Sequence, residues 1–159
     1  MIDLRDGRII NVVHTADVSA KAGFDVEAFL AQPLTARVAA AGPTVRPVWF
    51  LWEDGAFWWL TGGWARLLSN LKADPRVALV VDTCDLETGT VHQVTAVGEA
   101  EIYQLDAGRA HRLLQRYLGA DASRWPQRFK SGTFDDPATR LIRLEPGRLR
   151  ARDLSYDVL

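Results

Sequence analysis

The chain has 159 residues, 48% hydrophobic and 25% charged, with a formal net charge of −1. These values fit one globular domain spanning residues 1–159, and they exclude a general electrostatic drive toward nucleic acid or an anionic membrane. A single cysteine, Cys84, excludes an internal disulfide and fits a reducing, cytoplasmic setting, and no apolar run is long enough to span a bilayer.

Residues 1–23 are weakly patterned, with one strand candidate at Arg8–Val13. They read as an N-terminal arm, either packed on a neighbour or mobile. Asp25 is placed to cap a short helix bearing Val26, Ala28 and Phe29, which Pro33 closes. Leu34–Ala41 alternates loosely as a strand and runs into the turn Gly42-Pro43. The stretch Arg46–Leu71 then holds five of the six tryptophans: Trp49, Trp52, Trp58, Trp59 and Trp64. Within it, Pro47–Trp52 and Ala56–Leu60 flank Asp54-Gly55, a pair that tolerates positive φ and predicts a hairpin with a type I′ turn. Both strands are apolar on both faces, so the hairpin needs cover from outside as well as from within. After Thr61-Gly62-Gly63 the period changes. Ala65, Leu67, Leu68 and Leu71 share one face of a helix that Asp74-Pro75 ends.

Arg76–Asp82 is a compact β-branched strand, and Thr83–Gly89 is a polar loop. Thr90–Gln104 is the longest strand, with His92, Val94, Ala96, Gly98, Ala100 and Ile102 on one face. Gly98 in its middle predicts a bulge or a bend at a barrel corner. Asp106–Leu118 is a helix capped by Asp106 and stopped by Gly119, with an apolar stripe through Ala110, Leu113, Leu114 and Tyr117. Asp121–Phe129 reads as a second short helix around Trp125. Thr139–Leu144 and Arg148–Leu154 read as a closing hairpin around Glu145-Pro146-Gly147. The whole predicts a mostly β fold with flanking helices, a small barrel of six or seven strands.

The three histidines lie on separate elements without ligand spacing, so no metal site and no catalytic triad is expected. Two features point to a ligand instead. A glycine loop followed by a helix start offers unpaired N–H groups with partial positive charge, which suit an anion. Arg66, placed in the first turn of that helix, opposes the dipole at a cost of a few tenths to about 1 kcal/mol, and a bound anion would reverse the sign. Trp64 follows two glycines, where an aromatic gains little from local packing, and reads as a ligand or subunit contact. The other tryptophans invite a reading as a stacking surface for a planar ring, set against one as core and interface aromatics. The second is favoured for at least one of the adjacent pair Trp58 and Trp59.

The run from Ala36 to Ile102 resembles the pyridoxamine 5′-phosphate oxidase-like split-barrel flavoproteins, particularly the branch that uses FMN or a deazaflavin coenzyme. The resemblance rests on Arg46-Pro47-Val48, Thr61, Ala65-Arg66-Leu67, Asn70-Leu71, Asp74-Pro75-Arg76-Val77, Gln93-Val94 and Gly98-Glu99-Ala100-Glu101 in that order. It covers about 70 of the 159 residues. It implies a split β-barrel homodimer with flavin sites at the subunit interface, and hydride transfer between FMN and a small organic substrate. Arg46, Pro47, Val48 and Trp49 would meet the ring with their backbone, beside Leu60 and Trp64. Thr61, Arg66 and Leu67 would face the phosphate, and Gln93 the ring edge. No side chain need act as general acid or base, because the cofactor carries the chemistry. The family's usual lysines are replaced by Leu51 and Leu67, and the serine before Arg66 by Ala65. Three readings therefore stand open: an FMN enzyme, a deazaflavin-dependent reductase, and a non-catalytic flavin-binding or cofactor-free dimer.

Overall fold

The computed structural model describes residues 14–63 and 65–158, with the backbone alone of Asp3–Arg5 and Arg8–Ile10. The last two segments, β1 and β2, form an antiparallel pair of their own. Residues 11–13 of the expected Arg8–Val13 strand lie outside the described residues. Eight further strands follow: β3 (Thr35–Ala40), β4 (Thr44–Trp49), β5 (Leu51–Glu53), β6 (Ala56–Thr61), β7 (Arg76–Asp82), β8 (His92–Gln104), β9 (Arg140–Leu144) and β10 (Arg148–Asp153). They make one antiparallel eight-stranded sheet in the order β4-β3-β7-β8-β9-β6-β5, with β10 beside β8. The sheet curls into a split barrel whose two end strands, β4 and β5, are consecutive in the chain.

That junction corrects the expected hairpin. Pro47–Trp52 is not one strand: Trp49 still pairs with Thr35 of β3, whereas Leu51 already pairs with Trp58 of β6. Only Leu51–Glu53 and Ala56–Trp58 form the hairpin, around Asp54 and Gly55 at φ 55° and 70°, both positive as a type I′ turn requires. Phe50 stands between the two ladders. Its N–H donates to the Tyr117 hydroxyl at 3.0 Å, and the single proton of that hydroxyl is shared between the carbonyls of Leu34 (2.7 Å) and Phe50 (3.0 Å). Tyr117 belongs to α4 (Ala107–Leu118), whose cap is the Asp106 side chain accepting from the Arg109 N–H at 2.6 Å. Arg116 beside it reaches the carbonyls of Leu30 and Gln32. Tyr117 thus satisfies the Phe50 groups that the split leaves without strand partners, and Arg116 ties the Leu30–Gln32 segment to the same helix end.

The second correction concerns the closing hairpin. β9 and β10 do not pair with each other. Each pairs with β8, β10 along His92–Val97 and β9 along Ala100–Gln104. Their link crosses β8 at Gly98, where an added Cβ would sit 2.9 Å from Leu144 Cδ1 and 3.0 Å from the Glu145 carbonyl oxygen. Gly98 marks the barrel corner because a strand with no side chain there lets the link pass.

Two helices precede the barrel, α1 (Thr15–Ala22) and α2 (Val26–Leu30). Asp25 caps α2 as expected, accepting from the Ala28 N–H at 3.0 Å. The helix α1 falls in the stretch read as an arm; it buries no residue, so the sequence carries no apolar stripe to announce it. Inside the barrel lie Leu30, Phe50, Phe57, Trp59, Leu67, Val81, Ile142 and Leu144, each at most 1% exposed. The region after α4 contains two 3₁₀ turns, Ala122–Arg124 and Gln127–Phe129, and the short helix α5 (Ser131–Phe134). Trp125 anchors it on Leu113 and Leu114, with its Nε1 donating to the Gly119 carbonyl at 2.8 Å.

Gly98→Ala should destabilise the fold by about 1–3 kcal/mol, because the methyl meets backbone and a buried leucine rather than a flexible side-chain end. A lowered urea midpoint at unchanged slope is the expected result; an unchanged midpoint would mean that the crossover has room to spare.

Candidate functional site

The split is also where the chain forms a cavity. Its volume is about 600 Å³, within the range of sites for cofactors and small molecules. Pro47, Val48 and Trp49 of β4 form one wall, and Leu60 and Thr61 at the end of β6 form another. Leu113 and Leu114 of α4 contribute a third, and the segment from Arg128 to Thr133 closes the remaining side, with Thr139 at the entry to β9.

Five of the residues expected to hold a cofactor therefore meet in one place: Pro47, Val48, Trp49, Leu60 and Thr61. Trp49 is fixed there by an aromatic stack, its ring 4.7 Å from Tyr117 at an interplanar angle of 3° and 5.2 Å from Phe129 at 26°. Thr61 is 7% exposed.

The other expected residues lie elsewhere. Arg46 is half-buried on β4 outside the cavity lining, and its Nε is buried without a hydrogen-bond partner, as is the hydroxyl of Thr44 two residues before it. Arg66 is exposed and precedes α3 (Leu67–Ala73) as its N-cap, not as a member of its first turn. Leu67 is 1% exposed and packs in the barrel core. Gln93 sits in the sheet opposite Asp82 on one side and Arg152 on the other, half-buried. Trp64 lies outside the described residues. A Cβ on Gly63 would stand 2.9 Å from the Ala138 Cβ, so the glycine loop lies tight against the segment carrying Thr139.

Of the other tryptophans, Trp58 and Trp59 are 4% and 0% exposed, and Trp52 donates its Nε1 to Glu27 at 2.7 Å. They are core and packing residues, the reading favoured for at least one of Trp58 and Trp59. Among the described residues, no three His, Cys, Asp or Glu side chains come together to hold a metal ion.

Sequence reasoning did not connect the segment Arg128–Thr133 or Thr139 with the site. Trp125 and the 3₁₀ turns around it were visible as a short helical stretch, but nothing local tells on which face of the barrel such a stretch docks.

The wall formed by α4 is held from its far end by Glu53. Its carboxylate accepts from Arg109 Nε at 2.7 Å and from Arg112 Nε and Nη2 at 2.9 Å each, while the Arg109 guanidinium lies 3.7 Å over the Trp58 ring. The hydrogen bond from Arg112 is the largest influence on Glu53; with that from Arg109 it outweighs burial and holds the carboxyl below its ordinary value.

Comparison with known proteins places this geometry. A family model described as pyridoxamine 5′-phosphate oxidase matches residues 25–153. The fold is that family's split barrel, and the chain belongs to the pyridoxamine 5′-phosphate oxidase family. Among solved structures it is similar to a conserved hypothetical protein from Mycobacterium tuberculosis, with 21% identity and a TM-score of 0.66 over 93% of this chain and 92% of that one. It is also similar to a flavocytochrome from Azotobacter vinelandii, with 18% identity and a TM-score of 0.61 over 84% of this chain and 68% of that one. An F420 reductase shares 20% identity at a TM-score of 0.52, over 77% of this chain and 94% of that one. At these identities the likeness is one of fold. No curated protein matches the sequence. No described helix is long and apolar enough to cross a membrane.

Two variants probe this region. A folded-state pKa that is lowered stabilises above the unfolded value and loses that contribution as pH falls through the folded one. Glu53 should thus stabilise the protein above about pH 4.3, and Glu53→Gln should flatten that part of an acid unfolding curve. Leu67→Lys places an ammonium in the barrel core and should cost more than about 2 kcal/mol in urea denaturation, with no gain in FMN affinity. Tighter FMN binding at unchanged stability would instead put position 67 within reach of a phosphate.

Proposed function

We propose that this chain is a flavin-dependent oxidoreductase that transfers hydride between FMN and a small organic substrate at the cavity in the barrel split. The observation that carries the reading is the meeting of Pro47–Trp49 with Leu60 and Thr61 around one space of cofactor size. The residues present fit such a group. The walls are largely apolar, as a planar ring requires, and the buried hydroxyl of Thr139 has no hydrogen-bond partner among the described residues.

In this reading the backbone of Pro47–Trp49 and the Leu60–Thr61 segment hold the cofactor ring, and the cofactor supplies the hydride chemistry. The chain's own contribution is to orient and to exclude water. Leu113 and Leu114 make a dry wall, and the Tyr117–Trp49–Phe129 stack keeps that wall rigid. Arg46 and Arg66 stand as candidate phosphate ligands and Gln93 as a ring-edge ligand, and a homodimer would let them act across an interface. The unpaired edge of β4, with Val45 at 70% exposure, is an apolar surface of the kind a second copy would cover.

A deazaflavin coenzyme in place of FMN is the second form of the same chemistry, supported by the likeness to a reductase named for such a coenzyme. The cofactor-free dimer is the competing reading, favoured by Leu51 and Leu67 packing into apolar clusters at positions where the family resemblance leads one to expect lysines.

The test is a titration of the purified protein with FMN and with the deazaflavin coenzyme, followed in the visible spectrum, with its mass in solution from light scattering. Saturable spectral shifts with one of the two, on a particle of twice the 17.7 kDa chain, are the expected result. No shift with either would leave the cofactor-free reading, and a particle of single-chain mass would remove the interface.

A further inference from the structure

Among the described residues the cavity is lined by many apolar groups and several hydroxyls, but by one charged residue, Arg128. That guanidinium is exposed and has no carboxylate within ion-pair distance among the described residues, although the chain forms such pairs at Arg37, Arg76, Arg109, Arg112 and Arg143. Its guanidinium carbon lies 4.7 Å from the ring centroid of Phe129. A second, independent observation belongs to the same cavity lining. Thr139 is 2% exposed, and its Oγ1 is buried with no hydrogen-bond partner among the described residues. A buried hydroxyl without a partner is costly, and rotation of the Thr139 side chain toward the cavity would let a ligand oxygen satisfy it.

The segment that carries Arg128 is held in place independently of any ligand. Trp125 is buried against α4, Lys130 Nζ donates to the Ser123 carbonyl at 2.6 Å, and Gln127 Nε2 donates to Ser131 Oγ at 2.8 Å. Thr133 Oγ1 donates to the Arg128 carbonyl at 3.3 Å, so the turn is closed around the arginine's own backbone. The arginine is therefore presented on an ordered turn. Among the described residues, no acidic one lines the cavity to oppose it.

We propose that Arg128 and Thr139 form the anion-binding end of this cavity. They would receive the phosphate or carboxylate of an organic ligand whose apolar body lies between Val48, Leu60 and Leu113. The assignment rests on reading this cavity as the ligand site, as in the proposed function, but not on the ligand being a flavin. It makes the cavity selective for organic anions over their neutral congeners. It also supplies from residue 128 a cation that Leu51 and Leu67 do not.

The test compares matched probes: FMN against riboflavin, and 2-naphthoate against 2-naphthol. Each is titrated into the full chain, into Arg128→Gln, Arg128→Lys and Thr139→Val, with a melting curve for every variant. Loss of a charge-assisted contact should weaken an anionic probe about ten- to hundred-fold in Arg128→Gln, leave its neutral congener unchanged, and be partly recovered in Arg128→Lys. Thr139→Val should weaken the same anion while melting at or above the temperature of the parent, since it removes a buried hydroxyl that has no partner. A selective loss of FMN assigns the anion to the cofactor's phosphate. A selective loss of 2-naphthoate, measured with riboflavin bound, assigns it to a substrate carboxylate. If neither flavin binds while 2-naphthoate still depends on Arg128, the flavin reading fails and the anion site stands. Equal losses for anionic and neutral probes, unchanged affinities in Arg128→Gln, or no binding of any probe would each overturn the proposal.

Discussion

One hydroxyl carries a large share of this architecture. A barrel whose end strands are joined by a single residue leaves that residue without a ladder on either side, and here the residue is Phe50. Its N–H and carbonyl are both met by Tyr117, which also reaches the Leu34 carbonyl at the start of β3. Burial pushes the Tyr117 phenol above its ordinary value, against the opposing pull of the Phe50 hydrogen bond and Arg116. It therefore remains a neutral donor and acceptor. Because Tyr117 is tied to the split, α4 has one position along it, and Leu113 and Leu114 one turn earlier become a cavity wall.

The opposite side of the cavity follows from a second constraint. β8 is long enough to hold two successive partners, and Gly98 marks the point where it passes from β7 and β10 to β9. The β9 register that results sets Thr61 against Arg140, which brings Thr139 to the cavity beside the end of β6. The close approach of Gly63 to Ala138 tightens the same corner. Cavity shape is thus a consequence of how the barrel bends and where it is left open, and few of the groups lining it are polar.

Much of this was legible in the sequence where the signal is local. The Arg76–Asp82 strand, the Asp54-Gly55 turn, the caps at Asp25 and Asp106 and the bend at Gly98 all depend on residues adjacent in the chain, and each stands where its pattern put it. What escaped depends on distant partners. Pro47–Trp52 carries no breaker at Phe50, so its change of partner could not be read from propensity; the bend is set by a tyrosine 67 residues away. The β9–β10 pair resembles a hairpin in every local respect and is not one, because β8 offers both strands a longer ladder. Five of the expected site residues came together in the cavity, since they lie on strands that form its wall. Arg128 and Thr139 lie on an irregular segment whose docking is decided by Trp125, which no period in the sequence encodes.

The claim on which the rest depends is that the Tyr117 hydroxyl holds the split at Phe50. Amide hydrogen exchange, resolved by residue, in the parent chain and in Tyr117→Phe measures it directly. The account predicts that the Phe50 amide loses protection in the variant, with smaller losses at Trp49 and Leu51, while Leu79 and Ala96 in the closed part of the barrel keep theirs. Equal protection of Phe50 in both proteins would contradict it and leave α4 as a helix that merely rests on the barrel.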